Sequence, residues 1–220
     1  QTQFTYKKFN SYISPGPMHE LEVDLVDFTK KAKENDGFRY GLVAIDNFTK
    51  FAWVVPMKGV DIKGFAVQFL VDAVRWLGYS RVPLKSDNEP AIVKLLADTL
   101  KSLRVEGLDQ ACEEHPPPYD PQSNGGIEIG VKLVKGHMRT MRSALESRVG
   151  FKIPVAHPVI SWLVSHSANV LTWFSRGKDG RTAYQRVRGR PFNGKLLIFG
   201  ETCRYKCRSQ DPVLDRERWN

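Results

Sequence analysis

Pro118-Tyr119-Asp120-Pro121-Gln122-Ser123-Asn124-Gly125-Gly126-Ile127-Glu128 marks the change of texture around which the chain is organised. Pro116, Pro117, Pro118 and Pro121 forbid regular helix and Gly125-Gly126 frees the backbone to turn, so the stretch opens as a loop. From Ile127 the pattern becomes helical. Ile127, Val131, Val134, Met138, Met141 and Leu145 recur at the steps of one helix face, a continuous apolar stripe. The neighbouring stripe, about 100° round the helix, reads Glu128, Lys132, Lys135, Arg139 and Arg142. A single carboxylate therefore stands in the first turn, at the edge of the core, heading a row of cations. A row of charges is ordinarily a solvated helix face. Here the acid follows a proline- and glycine-punctuated loop, the kind of segment on which sites are built.

Upstream of that loop the sequence alternates between two periods. Leu21 to Phe28 reads as a strand, with Leu21, Val23 and Leu25 on one side and Glu22, Asp24 and Val26 on the other. Phe38 to Asp46 and Lys50 to Met57 are two further strands, joined by the hairpin-like Asp46-Asn47-Phe48-Thr49 turn. Asp61 can cap a helix whose apolar face is Ile62, Phe65, Phe69, Ala73 and Trp76, ending at Gly78. Val82 to Lys85 is a short strand leading into Ser86-Asp87-Asn88. A helix with Ile92, Leu95, Leu96, Thr99 and Leu103 inward follows, and Leu108 to Cys112 is a fifth strand. Three leading strands followed by alternating helix and strand predict an α/β fold, a mixed sheet with helices on both faces.

The flanks differ from this core. Residues 1–17 read as a linker, closing with Ser14-Pro15-Gly16-Pro17, and 18–157 as the core. Residues 158–220 read as a C-terminal extension. It holds a tryptophan-bearing helix from Pro158 to Ser175, a basic glycine-rich connector from Gly177 to Arg190, and strand-like residues from Lys195 to Lys206.

The 220 residues, 41% hydrophobic and 11% aromatic, suffice for one packed domain with an appendage. A net charge of +9 points to a polyanionic partner, most simply nucleic acid. Cys112, Cys203 and Cys207 are an odd set without a disulfide framework, which suits a reducing compartment. Neither they nor His19, His115, His137, His157 and His166 show zinc-ligand spacing. No run is long and apolar enough to span a bilayer, and no signal peptide is visible. The chain begins at Gln1 rather than methionine and reads as a piece of a longer protein.

Three acids occupy special positions. Asp24 lies mid-strand, where a carboxylate is costly unless paired, hydrogen-bonded or bound to a cation. Asp87 lies at the C-terminal end of a strand, the usual ligand edge of an α/β sheet. Glu128 opens the helix. With the first and fourth strands adjacent, Asp24 and Asp87 converge and Glu128 faces them. Clustered carboxylates repel and raise one another's pKa, and Mg²⁺ relieves that with few protein oxygens plus water and phosphate. Two ions ~3.5–4 Å apart would clamp the entering and leaving oxygens of a phosphoryl displacement. Asp27 competes with Asp24 but points to the opposite face. Asp46 suits turn-capping better than metal binding, Asp87 alone could be a helix N-cap, and Asp120 before Pro121 is turn chemistry.

At these residues the sequence resembles the integrase catalytic core of retroviruses and LTR retrotransposons, a ribonuclease-H-like fold. Glu22-Val23-Asp24 is similar to the first acid motif, Tyr40 to Lys50 to the second strand and turn, and Ser86-Asp87-Asn88 to the second acid motif. Pro118-Tyr119, Pro121-Gln122-Ser123 and Gly125, ending in Glu128, resemble the catalytic loop and third acid. The resemblance covers residues 18–146 and extends to Asp179-Gly180-Arg181-Thr182-Ala183-Tyr184 and Phe199-Gly200. It implies a five-stranded ribonuclease-H-like sheet and an Asp24, Asp87 and Glu128 triad binding Mg²⁺ or Mn²⁺, two ions in number. It also implies DNA contacts from Tyr119, Asn124, Lys132 and Lys135, to which the stripe itself adds Arg139 and Arg142. The implied reactions are trimming of DNA 3′ ends and attack of those ends on target DNA, carried out by a homo-oligomer inside the cell, in the nucleus or on host DNA. Glu89-Pro90 and Ile129-Gly130 depart from the family's usual residues, and its N-terminal zinc module is absent. A decayed DNA-binding or assembly module and a ribonuclease-H-type nuclease are the alternative readings.

Overall fold

The computed structural model describes residues 19–28, 40–57, 64–108, 110–114 and 125–204. It contains β1 (Leu21–Asp27), β2 (Tyr40–Asp46), β3 (Ala52–Met57), α1 (Phe65–Leu77), β4 (Arg81–Lys85) and α2 (Pro90–Val105). β5 (Gln110–Glu114), α3 (Gly125–Val149), α4 (Val159–Phe174) and α5 (Ala183–Arg188) follow. The strands form one five-stranded sheet in the order β3-β2-β1-β4-β5. β1, β2 and β3 pair antiparallel, while β1–β4 and β4–β5 are parallel. This is the mixed sheet that three hairpin-linked strands followed by helical crossovers require.

Both faces of the sheet are covered, and this explains why β2 is apolar without alternation from Leu42 to Ile45. Leu42 and Ala44 of β2 join Leu21 and Val23 of β1 beneath α1 and α2. Val43 and Ile45 turn the other way and join Val26, Val54 and the inward stripes of α3 and α4. On α3 that stripe is the predicted one: Ile127, Val131, Val134, Met138 and Leu145 are buried, with Met141 at its edge. On α2 the predicted Ile92, Leu95, Leu96, Thr99 and Leu103 are all buried.

Three elements differ from expectation. α1 buries the expected Ala73 together with Ala66, Leu70, Val71 and Val74, and Phe69 packs half-buried against the same core, but Phe65 is 63% exposed and Trp76 lies at the rim. Slim aliphatic residues fit against the sheet, whereas these two rings stay at the rim. Trp76 there meets Phe51 at 4.3 Å, with the Arg188 guanidinium 4.4 Å from its ring centre. β5 begins two residues later than predicted because Leu108 belongs to the end of α2, where its N–H donates to Leu103 O at 3.0 Å past a left-handed Gly107. Residues 195–204 form no strand, and a short helix, α5, interrupts the basic connector. Thr182 and Gln185 cap α5 reciprocally. The 1–17 linker, Asp61, Ile62 and residues 205–220 lie outside the described residues.

The 158–204 region is tied to the sheet. Ile160, Leu163, Val164, Ala168 and Leu171 of α4 share the core that α3 and β3 enclose. Arg186 on α5 bonds Asp179 and reaches back 2.9 Å to the Thr49 carbonyl in the β2–β3 turn. Among the described residues no helix is long and apolar enough to cross a membrane.

Candidate functional site

β1 and β4 bring the first two acids together. Leu21 pairs with Leu84 and Glu22 with Lys85, so the same register sets Asp24 level with Asp87, just beyond the end of β4. Asp24 lies on the face of β1 turned towards α3 and is half-buried. Burial, then the charge of Asp87, push its carboxyl above the ordinary aspartate range. Glu89 adds to the push, while a hydrogen bond from the Leu25 amide and the Lys135 ammonium oppose it. Asp87 accepts from the Glu89 N–H at 3.2 Å, an Asx turn that leads into α2, whose first residue is Pro90.

Lys135 is thus close enough to act on Asp24, and its ammonium lies 5.4 Å from the Phe28 ring centre at the end of β1. This carries the basic stripe of α3 past the acid pair. Lys132 and Arg139 are exposed on that stripe, and Glu128 is exposed in its first turn. The main charges acting on Asp24 are Asp87, Glu89 and Lys135. Among the described residues no three histidine, cysteine or acidic side chains converge tightly enough to hold a metal ion. The structure therefore brings Asp24 and Asp87 within reach of each other's charge, with Glu128 exposed in the first turn of α3. Tyr119, Asn124 and Asp120 lie outside the described residues.

Two predicted residues have intramolecular roles. Arg142 donates from Nε to Glu146 at 2.9 Å and from Nη2 to the Ile153 carbonyl, which ties it to the turn after α3. Asp46 is buried and accepts from the Thr49 amide at 2.8 Å and the Tyr79 hydroxyl at 2.9 Å, the turn-capping role its position suggested. Its charge pushes the Tyr79 phenol well above the ordinary range, after burial.

Glu22 was passed over in the sequence except as part of a motif. It is 5% exposed, on the same face of β1 as Asp24, and the Ile127 amide in the first turn of α3 acts on its carboxylate and opposes the rise in its pKa. Burial chiefly, and Glu20 next, raise its carboxyl above the usual range. The two-residue alternation that singles out Asp24 also singles out Glu22, so the signal was present.

No protein-family profile matches the chain. Over 110 residues, 50% of the chain, it is 31% identical to the Gag-Pol polyprotein of feline leukemia virus, and it spans only 6% of that polyprotein. The HTLV-2 integrase catalytic core domain, solved in complex with magnesium in a trimeric form, superposes with a TM-score of 0.55 at 16% identity, covering 78% of this chain and 97% of that one. A dimeric form of the same domain gives a TM-score of 0.54 at 14% identity, over 78% and 97% of the two chains. A simian T-cell lymphotropic virus intasome, solved with the PP2A regulatory subunit B56 gamma, gives 0.59 at 17% identity over 98% of this chain and 72% of that one. With its β3-β2-β1-β4-β5 sheet and helices on both faces, the chain has the ribonuclease-H-like fold of retroviral integrase catalytic cores.

Proposed function

We propose that this chain is the catalytic core of a retroelement integrase, a metal-dependent polynucleotidyl transferase that trims DNA 3′ ends and joins them to target DNA. The observation that carries this reading is the β1–β4 register, which sets Asp24 and Asp87 side by side within reach of each other's charge. Two carboxylates forced together beneath a basic helix face suit a hard divalent cation and an anionic substrate. Asp24 and Asp87 would hold Mg²⁺ or Mn²⁺, with Glu128 as the third ligand. When bound, two such ions supply Lewis-acid activation of the attacking oxygen and stabilisation of the leaving one. Lys132, Lys135 and Arg139 would grip the DNA backbone along α3, with Tyr119 and Asn124 contacting it from the preceding loop. Arg142, already bonded to Glu146 and Ile153, contributes less to that grip.

DNA ends and target DNA are the proposed partners, and a homo-oligomer acting inside the cell on host DNA the proposed working form. The solved dimeric and trimeric forms of the HTLV-2 core support the oligomer. Among the described residues no three acids converge tightly enough to hold an ion, and this favours one competing reading, a decayed core kept for DNA binding or assembly.

The test compares parent, Asp87→Asn and Glu128→Gln for Mg²⁺- or Mn²⁺-dependent nicking and strand transfer on duplex DNA, alongside the rise in Tm caused by the metal alone. Both activities are expected to vanish in each variant, with the metal-induced rise in Tm lost in Asp87→Asn. Full metal-dependent activity in either variant removes the site. A parent that binds DNA and shows neither cleavage nor a metal-induced Tm rise establishes the decayed module instead.

A further inference from the structure

We infer that Glu22 is a positioning residue: its buried carboxylate pins the first turn of α3 to β1 and so sets where Glu128 stands relative to Asp24. This deepens the proposed acid site and rests on Glu128 belonging to it. Four observations converge. Glu22 and Asp24 sit two residues apart on one face of β1, so they share a rigid support. Glu22 is nine-tenths or more buried, at 5% exposure, and the N–H of Ile127, the residue just before Glu128, acts on its carboxylate. A Cβ built on Gly126 would lie 2.5 and 2.6 Å from the two Glu22 carboxylate oxygens, so the carboxylate lies flush against the helix start and would have to shift to admit any side chain there. The two cations that act on it are engaged elsewhere: the Lys50 ammonium donates to Asn47 at 3.1 Å, and Lys85, paired with Glu22 across the strands, places its ammonium 2.9 Å from Glu20.

The chemistry of a helix start explains why a carboxylate stands there. The first amides of α3 have no acceptor within the helix, and the helix dipole favours an anion beside them. An apolar side chain in the same place would fill the space at less desolvation cost but would leave the Ile127 amide unpaired, and the turn free to fray or rotate. Among the described residues Oε2 of Glu22 has no hydrogen-bond partner.

The test uses the full chain with Glu22→Ala, Glu22→Gln and Gly126→Ala. Amide hydrogen exchange is read at Ile127 and Glu128, with Met138 further along α3 as the internal reference. The Mg²⁺ concentration giving half-maximal DNA nicking is read beside DNA affinity in the absence of metal. In Glu22→Ala the first-turn amides are expected to exchange about tenfold faster, the scale of one lost hydrogen bond to a charged group, with Met138 unchanged. The half-maximal Mg²⁺ concentration is expected to rise several-fold while DNA affinity holds. Glu22→Gln, which keeps an acceptor of the same reach, is expected to restore most of both. Gly126→Ala, whose new Cβ displaces the carboxylate without emptying the core, is expected to copy Glu22→Ala, and it decides the matter should Glu22→Ala not fold. First-turn exchange that stays at the parent rate, or that speeds up uniformly along α3 together with a fall in Tm, overturns the inference. Should the parent show no metal-dependent activity, the integrase reading fails, and the exchange measurements alone still decide whether Glu22 pins the helix.

Discussion

Glu146 shows how a single side chain can fasten two elements. Its carboxylate is buried at the end of α3 and accepts from Lys152 at 2.8 Å, the Ile153 amide at 3.0 Å and Arg142 at 2.9 Å. These donors, the Lys152 hydrogen bond foremost, hold its pKa down to about 2, against the ordinary 4.5. The folded state thus prefers the ionised form more than the unfolded state does. The stabilisation is complete above the unfolded value and is lost as pH falls from about 4.5 towards about 2. We expect Glu146→Gln to lower stability at neutral pH and to flatten the loss of stability in that acid window, as read by urea midpoints at a series of pH values. A variant whose acid profile parallels the parent's would place the stabilisation elsewhere, with Asp179, held near 2 chiefly by its hydrogen bond to Arg186, the next residue to change. The sequence presents Arg142 as one more cation on a basic stripe. What reassigns it is a carboxylate one helical turn on and a carbonyl beyond the helix, and only the first of these is visible in a helical pattern.

At the scale of the element, the helices divide by how much of their burial is local. The inward face of α2 follows from its period alone, because small and aliphatic residues occupy every inward position. α1 does so only in part, because Phe65 and Trp76 extend an apparent apolar stripe outward while Ala66, Leu70 and Val74, with Phe69 beside them, make the contact. α3 keeps its predicted stripe, yet the reason for Gly130 lies in another element. By propensity a glycine weakens a helix interior by roughly 0.5–1 kcal/mol relative to alanine. In the structure a Cβ on Gly130 would run into Cδ1 of the buried Ile45 on β2, so the glycine lets α3 close onto the sheet. Two terms of opposite sign then compete in Gly130→Ala. Overpacking of a buried contact costs typically ~1–3 kcal/mol, which exceeds the propensity gain. We expect a net loss of about 1 kcal/mol by this difference. Ile45→Val removes the clashing methyl, so the double variant is expected to be more stable than the two separate losses predict. A double-mutant cycle in urea reads this directly, and strict additivity would mean that α3 does not press on β2 at this point.

The whole molecule is where the sequence is least legible, because the relation of residues 158–204 to the core depends on partners more than a hundred positions away. The apolar helix with two tryptophans was readable, but not the surface that would bury it. β3 is an edge strand, and an exposed edge leaves backbone donors and acceptors open to pairing with other chains. α4 closes that edge with side-chain hydroxyls. Thr172 accepts from the Ala52 amide and donates to the Ala52 carbonyl, both at 3.2 Å, and Ser165 donates to the Val54 carbonyl at 3.0 Å. Beside these bonds Leu163, Val164 and Ala168 complete the core on that face of the sheet. Sheet and α4 are therefore expected to melt as one unit. Thr172→Val tests this with almost no change of volume, since it removes the hydroxyl and leaves two buried backbone groups of β3 unpaired. The penalty for stranding buried polar groups is about 1–3 kcal/mol, so the urea midpoint of the entire domain is expected to fall while the transition stays single. Thr172→Ser, which keeps the hydroxyl and gives up one methyl, is expected to cost less. The order of the two variants carries the argument: a valine variant as stable as the serine one would mean that α4 holds the edge by apolar packing alone. A second transition appearing at lower urea would mean that the 158–204 region folds apart from the sheet it covers.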